Sequence, residues 1–387
     1  MTSILLMVLF GILAVFWVLA GLRMMWGIAR LPRLDDVMPL ADADCPSVSI
    51  LVAARDEEAK LAAALATLVA QDYPSYEVIA VNDRSRDATP QILDEFARAH
   101  SHLKVIHLSE LPKGWLGKPH ALTEAYKQAS GEWLVFTDAD VRFAPDLLRR
   151  AVSLARANTW DHLTVMPLLE TNGFWEKTAL TYWSFGFFLL VGQPPREARN
   201  PRSGRYIGVG AFQLLRRSTY EAVGTHRRLA MEVIDDVKLG KLVKHGGFRS
   251  AAVLGGDWLR LRYEAGLASI IRGFTKNFFA AVRFRVSLAV AAVVFTLAVS
   301  VLPFAASAFT SGWARVLCGV SVGAAVGVHA GVAHTLRVSP FYSVTHSLGA
   351  LILCYMMARS AVVTLWQGGV RWRDTFYPLD ELRKGQV

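Results

Sequence analysis

Cysteine is scarce: the 387 residues hold three, Cys45, Cys318 and Cys354, too few and too far apart for a disulfide framework or a thiolate metal site. Glycine-rich phosphate loops are missing too. No GxGxxG follows the first strand-like run and no GxxxxGK[ST] occurs, which disfavours a dinucleotide fold or a P-loop nucleotidase. Internal repeats and low-complexity tracts are absent. Charge is missing over long stretches: Met1–Leu22, Val286–Ala314, Val316–Leu336 and Val338–Ala358 contain no Lys, Arg, Asp or Glu. Each reaches the roughly 20 residues needed to cross a bilayer core. The first has neither a basic n-region nor a small-residue cleavage site, so it reads as an anchor rather than a signal peptide.

What is present is strongly apolar, 53% hydrophobic, with a net charge of +10. Lys and Arg gather beside the apolar runs and over Arg260–Arg285, with no aromatic-basic platform or zinc spacing among them. Attraction to anionic lipid accounts for this charge, and no nucleic-acid partner is expected. Arg23, Arg30 and Arg33 follow the first apolar run and place the soluble part of a multi-pass cell-membrane protein in the cytoplasm.

Between the apolar ends, strand and helix patterns alternate. Val48–Ala54, Tyr76–Val81, Leu103–Leu108 and Trp133–Thr137 read as strands, with helices expected over Glu57–Ala70, Thr89–Ala99, Lys118–Ala129 and Ala144–Ala157. Such alternation predicts an α/β fold on a mostly parallel sheet, with ligands at the strands' C-terminal ends. Three of those ends run into polar clusters: Arg55–Asp56–Glu57–Glu58, Asn82–Asp83–Arg84–Ser85 and Asp138–Ala139–Asp140. Asp138 and Asp140, separated by one alanine, repel each other unless a cation intervenes. Hard oxygen ligands suit Mg²⁺ or Mn²⁺ completed by substrate phosphates. The same spacing also serves as a capped turn before a helix.

Taken in order, SILVAARDEE (49–58), VNDRSRDAT (81–89), GKPHAL (117–122), FTDADV (136–141) and IDDVKLGKLVKHGG (234–247) resemble a membrane-bound family 2 glycosyltransferase. GFTKNFFA (273–280) and GGVRWRDTFYP (368–378) are similar to the subgroup acting on lipids, which includes ceramide, carotenoid-acid and hopanoid-associated transferases. The resemblance implies a nucleotide-diphospho-sugar transferase (GT-A) fold over 45–285, after an anchor at 1–30 and before membrane segments at 286–370 and a basic tail at 371–387. It implies a nucleotide-sugar donor, foremost a UDP-sugar, and a lipid acceptor. An exporting polysaccharide synthase, or an inactive sugar-binding protein on the same fold, is the alternative.

By that resemblance Asp140 ligates the metal and Asp138 contacts metal or ribose. Ala54, Arg55, Glu57 and Asp83 meet the nucleotide. Lys118 has a charge suited to phosphate, though a solvated surface lysine is an equal reading. Asp236, in the pair Asp235–Asp236 opening a helix, faces the acceptor as general base, with Glu232 a weaker choice; capping that helix is the other use for the pair. Arg272 and Lys276 would contact diphosphate, but RGFTKN departs from the subgroup's (Q/R)xxRW. No carboxylate nucleophile is evident, so a single displacement with inversion is expected. Phe174–Val191, rich in Trp, Tyr and Phe, reads as a helix at 174–191 lying in the membrane interface, and Arg196–Arg205 as a loop over the site.

Overall fold

A computed structural model describes residues 2–191 and 205–387; of the loop expected over the site, all but Arg205 lies outside them. The described chain divides into two compact units. One holds the stretch from Leu31 to Glu170, the described residues up to Arg262, and Asp380–Val387. The other holds the first helix, the aromatic helix and Tyr263–Leu379.

The first unit is built on a seven-stranded sheet in the order β3-β2-β1-β4-β8-β6-β9. Its strands are β1 (Val48–Ala54), β2 (Tyr76–Asp83), β3 (Leu103–Leu108), β4 (Trp133–Asp138), β6 (His162–Met166), β8 (Gln213–Arg216) and β9 (Ser250–Leu254). β1 pairs in parallel with both β2 and β4. The chain therefore reverses its direction of travel across the sheet at β1, and the C-terminal crevice between β1 and β4 is where such sheets bind ligands. β8 runs antiparallel between β4 and β6, a turn that the alternating pattern does not announce. The short strands β5 (Val141–Phe143), β7 (Leu168–Leu169) and β10 (Leu259–Leu261) form a separate three-stranded sheet.

Helices α2 (Leu61–Leu68), α3 (Thr89–Ala99), α4 (Gly117–Gln128) and α5 (Leu147–Ala157) cover the sheet, followed by α7 (Arg217–Ala222) and α8 (Asp235–His245). β1 and β4 are buried on both faces because both are covered, which is why they read as continuous apolar runs. α3 starts with a proline in its first turn, where the missing N–H costs nothing. α8 carries Asp235 and Asp236 in its first turn and Lys244 and His245 in its last, each charge favoured by the helix dipole.

The second unit contains α1 (Thr2–Ala29), α6 (Gly173–Val191), α9 (Leu267–Phe274), α10 (Asn277–Ala281), α11 (Val286–Ser300), α12 (Leu302–Phe309), α13 (Gly312–Thr335) and α14 (His346–Gln367). The hairpin β11 (Gly369–Trp372) and β12 (Thr375–Pro378) follows, and then the short helix α15 (Leu379–Lys384). Among the described residues three segments are long and apolar enough to cross a membrane: Ile4–Ala29, Gly312–Thr335 and Pro340–Gln367. Val286–Ala314 is not one continuous helix. It breaks at Val301, and Pro303, which has no N–H to donate, sits in the first turn of α12. Leu267–Ala281 and Val286–Ser300 meet at 116°.

The aromatic helix α6 differs from a helix spread on the membrane interface. Tyr182, Phe185 and Phe188 are buried inside this unit, while Phe174 and Trp175 at its start are about half exposed. Tyr182 donates to Ser300 Oγ at 2.8 Å, Phe185 stacks on Trp17 at 5.7 Å, and Gly349 leaves room for Tyr182 to approach α14. Small partners and a buried hydroxyl acceptor thus let an aromatic face pack inward.

Two fully buried histidines in the sheet unit contribute to its acid sensitivity. Burial holds His162 neutral, lowering its pKa to about 4 against the hydrogen bond its Nε2–H donates to Gln213 Oε1, which works the other way. Burial, and then the Lys118 charge, lower that of His226 to about 3. An imidazole depressed in the fold binds its proton only on unfolding below the ordinary value near 6.5, so stability is complete above that pH and falls as pH drops towards the folded values. The unfolding free energy of the sheet unit should fall by about 1.4 kcal/mol per pH unit for each histidine between about pH 6 and pH 4. His162→Gln should remove one share of that slope in denaturant titrations; an unchanged slope would show that the imidazole is not held neutral.

Candidate active site

Four carboxylates converge at the C-terminal edge of the sheet. Register places Asp138 beside Ala53 of β1, and Ala54 beside Asn82 of β2, so the ends of β1, β2 and β4 stand abreast. Lys118, at the start of α4, is no solvated surface residue. Its Nζ donates to Asp138 Oδ1 at 2.6 Å and lies 3.8 Å from Asp235 Oδ2. Burial alone would lower its pKa, but Asp138, Asp235 and Asp236 outweigh it and hold the ammonium charged well above its usual range.

A second lysine, not singled out by the sequence, serves Asp140. Lys60 Nζ donates to Asp140 Oδ2 at 3.0 Å and to the Arg262 main-chain oxygen at 3.1 Å. Burial and the neighbouring Asp138 charge push Asp140 up, and Lys60 opposes them. The oxygen-only donor set fits a hard divalent cation bound by one or two carboxylates and substrate phosphates. Among the described residues no group of three or more His, Cys, Asp or Glu forms a metal cage.

The two acids that open α8 occupy different surroundings. Asp235 is buried, 3% exposed, with His226 Nε2 at 3.9 Å as well as Lys118. Asp236 is half-buried, and its Oδ2 accepts from the Gly210 N–H at 2.8 Å. Gly210 returns its main-chain oxygen to the Asp138 N–H at 3.0 Å. A Cβ on Gly210 would stand 2.6 Å from Asp138 Oδ2, and one on Gly208 would run into the Asp236 main-chain oxygen. The run Ile207–Gly208–Val209–Gly210 is therefore wedged between β4 and α8 and ties their acids together. Sequence reading missed it; two glycines one residue apart are too weak a signal alone.

Glu232, weighed as a base, is instead bound at 3.0 Å to Lys238. Asp83 has both oxygens engaged by Arg84, at 2.7 and 3.1 Å, with Arg55 at 3.6 Å. Two residues here, Asp56 and Arg84, adopt left-handed backbone at φ of 53° and 57°. Their loops are stitched together: Arg86 N–H donates to Asp56 Oδ1 at 2.8 Å, Glu57 N–H to Thr89 Oγ1 at 2.8 Å and Asp56 N–H to Ser85 Oγ at 3.0 Å. Such strain persists only where surroundings enforce it, and it clusters at functional sites. Arg272 and Lys276 belong to the helical unit. Arg272 donates to Ser269 Oγ at 2.8 Å, and Lys276 Nζ sits 3.6 Å from the Trp372 ring centroid.

Residues 49–224 match the family described as Glycosyl transferase family 2. The beta-monoglucosyldiacylglycerol synthase of Synechocystis sp. is 34% identical over 152 residues, 37% of this chain and 31% of that protein. The 4,4'-diaponeurosporenoate glycosyltransferase of Staphylococcus aureus (strain USA300) is 25% identical over 238 residues, 60% of each chain. The match to the synthase thus spans about a third of that relative's length. Among solved structures, the mannosyltransferase PcManGT of Pyrobaculum calidifontis, in complex with GDP-Man and Mn²⁺, superposes with a TM-score of 0.56 at 22% identity, over 94% of this chain and 99% of that one. At that identity the likeness is one of fold, and it is the GT-A fold with its mostly parallel sheet.

Gly208→Ala tests the wedge. The added methyl meets backbone that cannot rotate away, so a loss of about 1–3 kcal/mol is expected from overpacking, read as a lower unfolding midpoint of the sheet unit. Full stability would mean that the 207–210 run is looser than described.

Proposed function

Because residues 49–224 form a family 2 glycosyl transferase domain, we propose that this chain moves a sugar from a nucleoside-diphosphate sugar to a membrane lipid, by single displacement with inversion. The observation that carries the reading is the convergence of Asp138, Asp235 and Asp236 around Lys118, with Asp140 beside Asp138 and held by Lys60. Donor-side and acceptor-side acids of the expected kind meet in one crevice. The lipid acceptor is supported by the membrane-length helices and by the names of the relatives, a glucosyldiacylglycerol synthase and a carotenoid-acid transferase. A UDP-sugar is the first donor to test, with a GDP-sugar as its rival.

Asp138 and Asp140 would hold Mg²⁺ or Mn²⁺, which when bound supplies positive charge to a leaving diphosphate. Lys60 and Lys118 offset the charge of these acids, and Lys118 stays at hand for a phosphate oxygen. Asp236, oriented by the Gly210 N–H, takes the proton of the acceptor hydroxyl. The acceptor oxygen then bonds to the anomeric carbon from the face opposite the diphosphate, which leaves with the electrons of the broken C–O bond. Asp235 lies beside the base, 3.8 Å from Lys118 Nζ and 3.9 Å from His226 Nε2. Arg55, Glu57, Asp83 and the Ala54 backbone lie at the strand ends where a nucleotide would sit.

Membranes carrying the full chain, incubated with labelled UDP-glucose, UDP-galactose or GDP-mannose, should yield a labelled product in the organic phase; label in a polymer only would overturn the lipid reading. Asp236→Asn should lower turnover about 10²-fold, the usual size of a general-base effect, with donor affinity nearly intact. Asp140→Asn should abolish Mn²⁺-dependent donor binding, and wild-type binding in that variant would remove the residue from the metal site.

Topology follows from counting crossings. We propose that the tail and the sheet share a side of the membrane, a reading supported by the packing of Asp380–Val387 within the sheet's own unit. The chain between Arg262 and Asp380 then crosses an even number of times. Gly312–Thr335 and Pro340–Gln367 supply two crossings, and the bent α9–α12 stretch enters and leaves on one face. Reporters fused after Arg33, Arg285 and Val387 should give cytoplasmic signals and one after Arg337 an external signal. An external Val387 would refute this arrangement.

A further inference from the structure

The end of the chain is seated on the turn that leads into Asp235 and Asp236. Leu382 of α15 is fully buried, and Gly385 lies against Met231 so closely that a Cβ there would strike the Met231 side chain. Next to Met231, the Glu232 carboxylate accepts from Lys238 Nζ at 3.0 Å and from the Val387 N–H. Lys238 Nζ also donates to the Val387 main-chain oxygen at 2.7 Å. The Glu232 and Lys238 side chains are only 3% and 5% exposed. Glu232 stands three residues before Asp235, and Lys238 three residues after it.

We propose that Glu232, Lys238 and the docked Asp380–Val387 segment form a clamp that positions the Asp235–Asp236 turn for acceptor-side chemistry, a reading that rests on the transferase function argued above. A buried ion pair is tolerable only where its remaining donors and acceptors are satisfied. The tail backbone supplies one donor to the carboxylate and one acceptor to the ammonium, and its apolar Leu382 shields them from water. The pair in turn braces the first turn of α8 from both sides. Without the tail, water enters the pair, the turn loosens, and Asp236 loses its register with the Gly210 N–H. Glu232 and Lys238 are positioning residues; neither needs to touch substrate. The acids proposed for the donor side, Asp138 and Asp140, stand at the end of β4 and in the turn after it.

The test uses the full-length membrane protein beside two variants, one ending at Lys384 and one carrying Gly385→Val. Four quantities are read: donor affinity, turnover, the pH profile of turnover and amide exchange over Asp235–His245. The clamp predicts donor affinity within about twofold of wild type and turnover reduced about tenfold or more, as for a misplaced catalytic group. It also predicts a shifted acid limb of the pH profile and faster exchange in α8. Unchanged turnover and pH profile in both variants would overturn the proposal. So would a joint collapse of donor affinity and thermal stability, which marks a general scaffold. If the wild type transfers no sugar at all, the functional reading fails by itself, and α8 exchange still decides whether the clamp exists.

Discussion

Negative charge packed into a small space is the constraint on which the site depends. Four carboxylates, from the end of β4, the turn after it and the start of α8, meet at one sheet edge, and like charges brought close in the moderate dielectric of a protein rim repel each other. Lys118 and Lys60 make that density tolerable, one bridging β4 to α8 and the other tying Asp140 to the chain after β10. These contacts explain why α4 must begin where it does: the ammonium has to arrive at the strand end, and Gly117 before it lets the helix start pass against Asp83. Fold and chemistry meet here, because the lysines that permit folding occupy the ground a cation and a diphosphate would take.

The strands were readable because a parallel sheet covered on both faces needs unbroken apolar runs, and β1 and β4 have them. The position of Asp138 and Asp140 at the sheet edge was readable for a related reason. Polar clusters directly after such runs have few places to go other than the C-terminal edge. β8 was not readable, since a four-residue antiparallel strand has too little pattern to announce its direction. Nor were the wedge and the tail seat. Gly208, Gly210 and Gly385 act through the side chain they do not have, and space left empty has no signature without the neighbour that fills it. Glu232, the weaker candidate for the base, is the opposite case: an acid near the Asp235–Asp236 pair looks isolated until its lysine, six residues on, is seen beside it.

The helical unit shows how an apolar sequence can still be specific. α1 exposes Ile4, Leu5, Ile12, Val15, Leu19 and Leu22, a surface that only lipid would cover comfortably. Its inward face is more particular, with Trp17 donating from Nε1 to the Val299 main-chain oxygen at 2.8 Å, where helix α11 nears its break. That carbonyl is left over when a helix ends, and without water it needs a protein donor. The aromatic run of α6 is drawn inside for the same economy, its hydroxyl finding Ser300 one residue further on.

One residue, Gly210, accepts from the strand that bears Asp138 and donates to the acid that opens α8. It cannot shift for one side without shifting for the other. The two halves of the crevice therefore share a hinge pin rather than two separate mounts. On the proposed transferase reading, donor preference and acceptor preference are not interchangeable modules on either side of that loop. A graft that reshapes one half has to keep the backbone of residues 207–210 in place, or it will retune both.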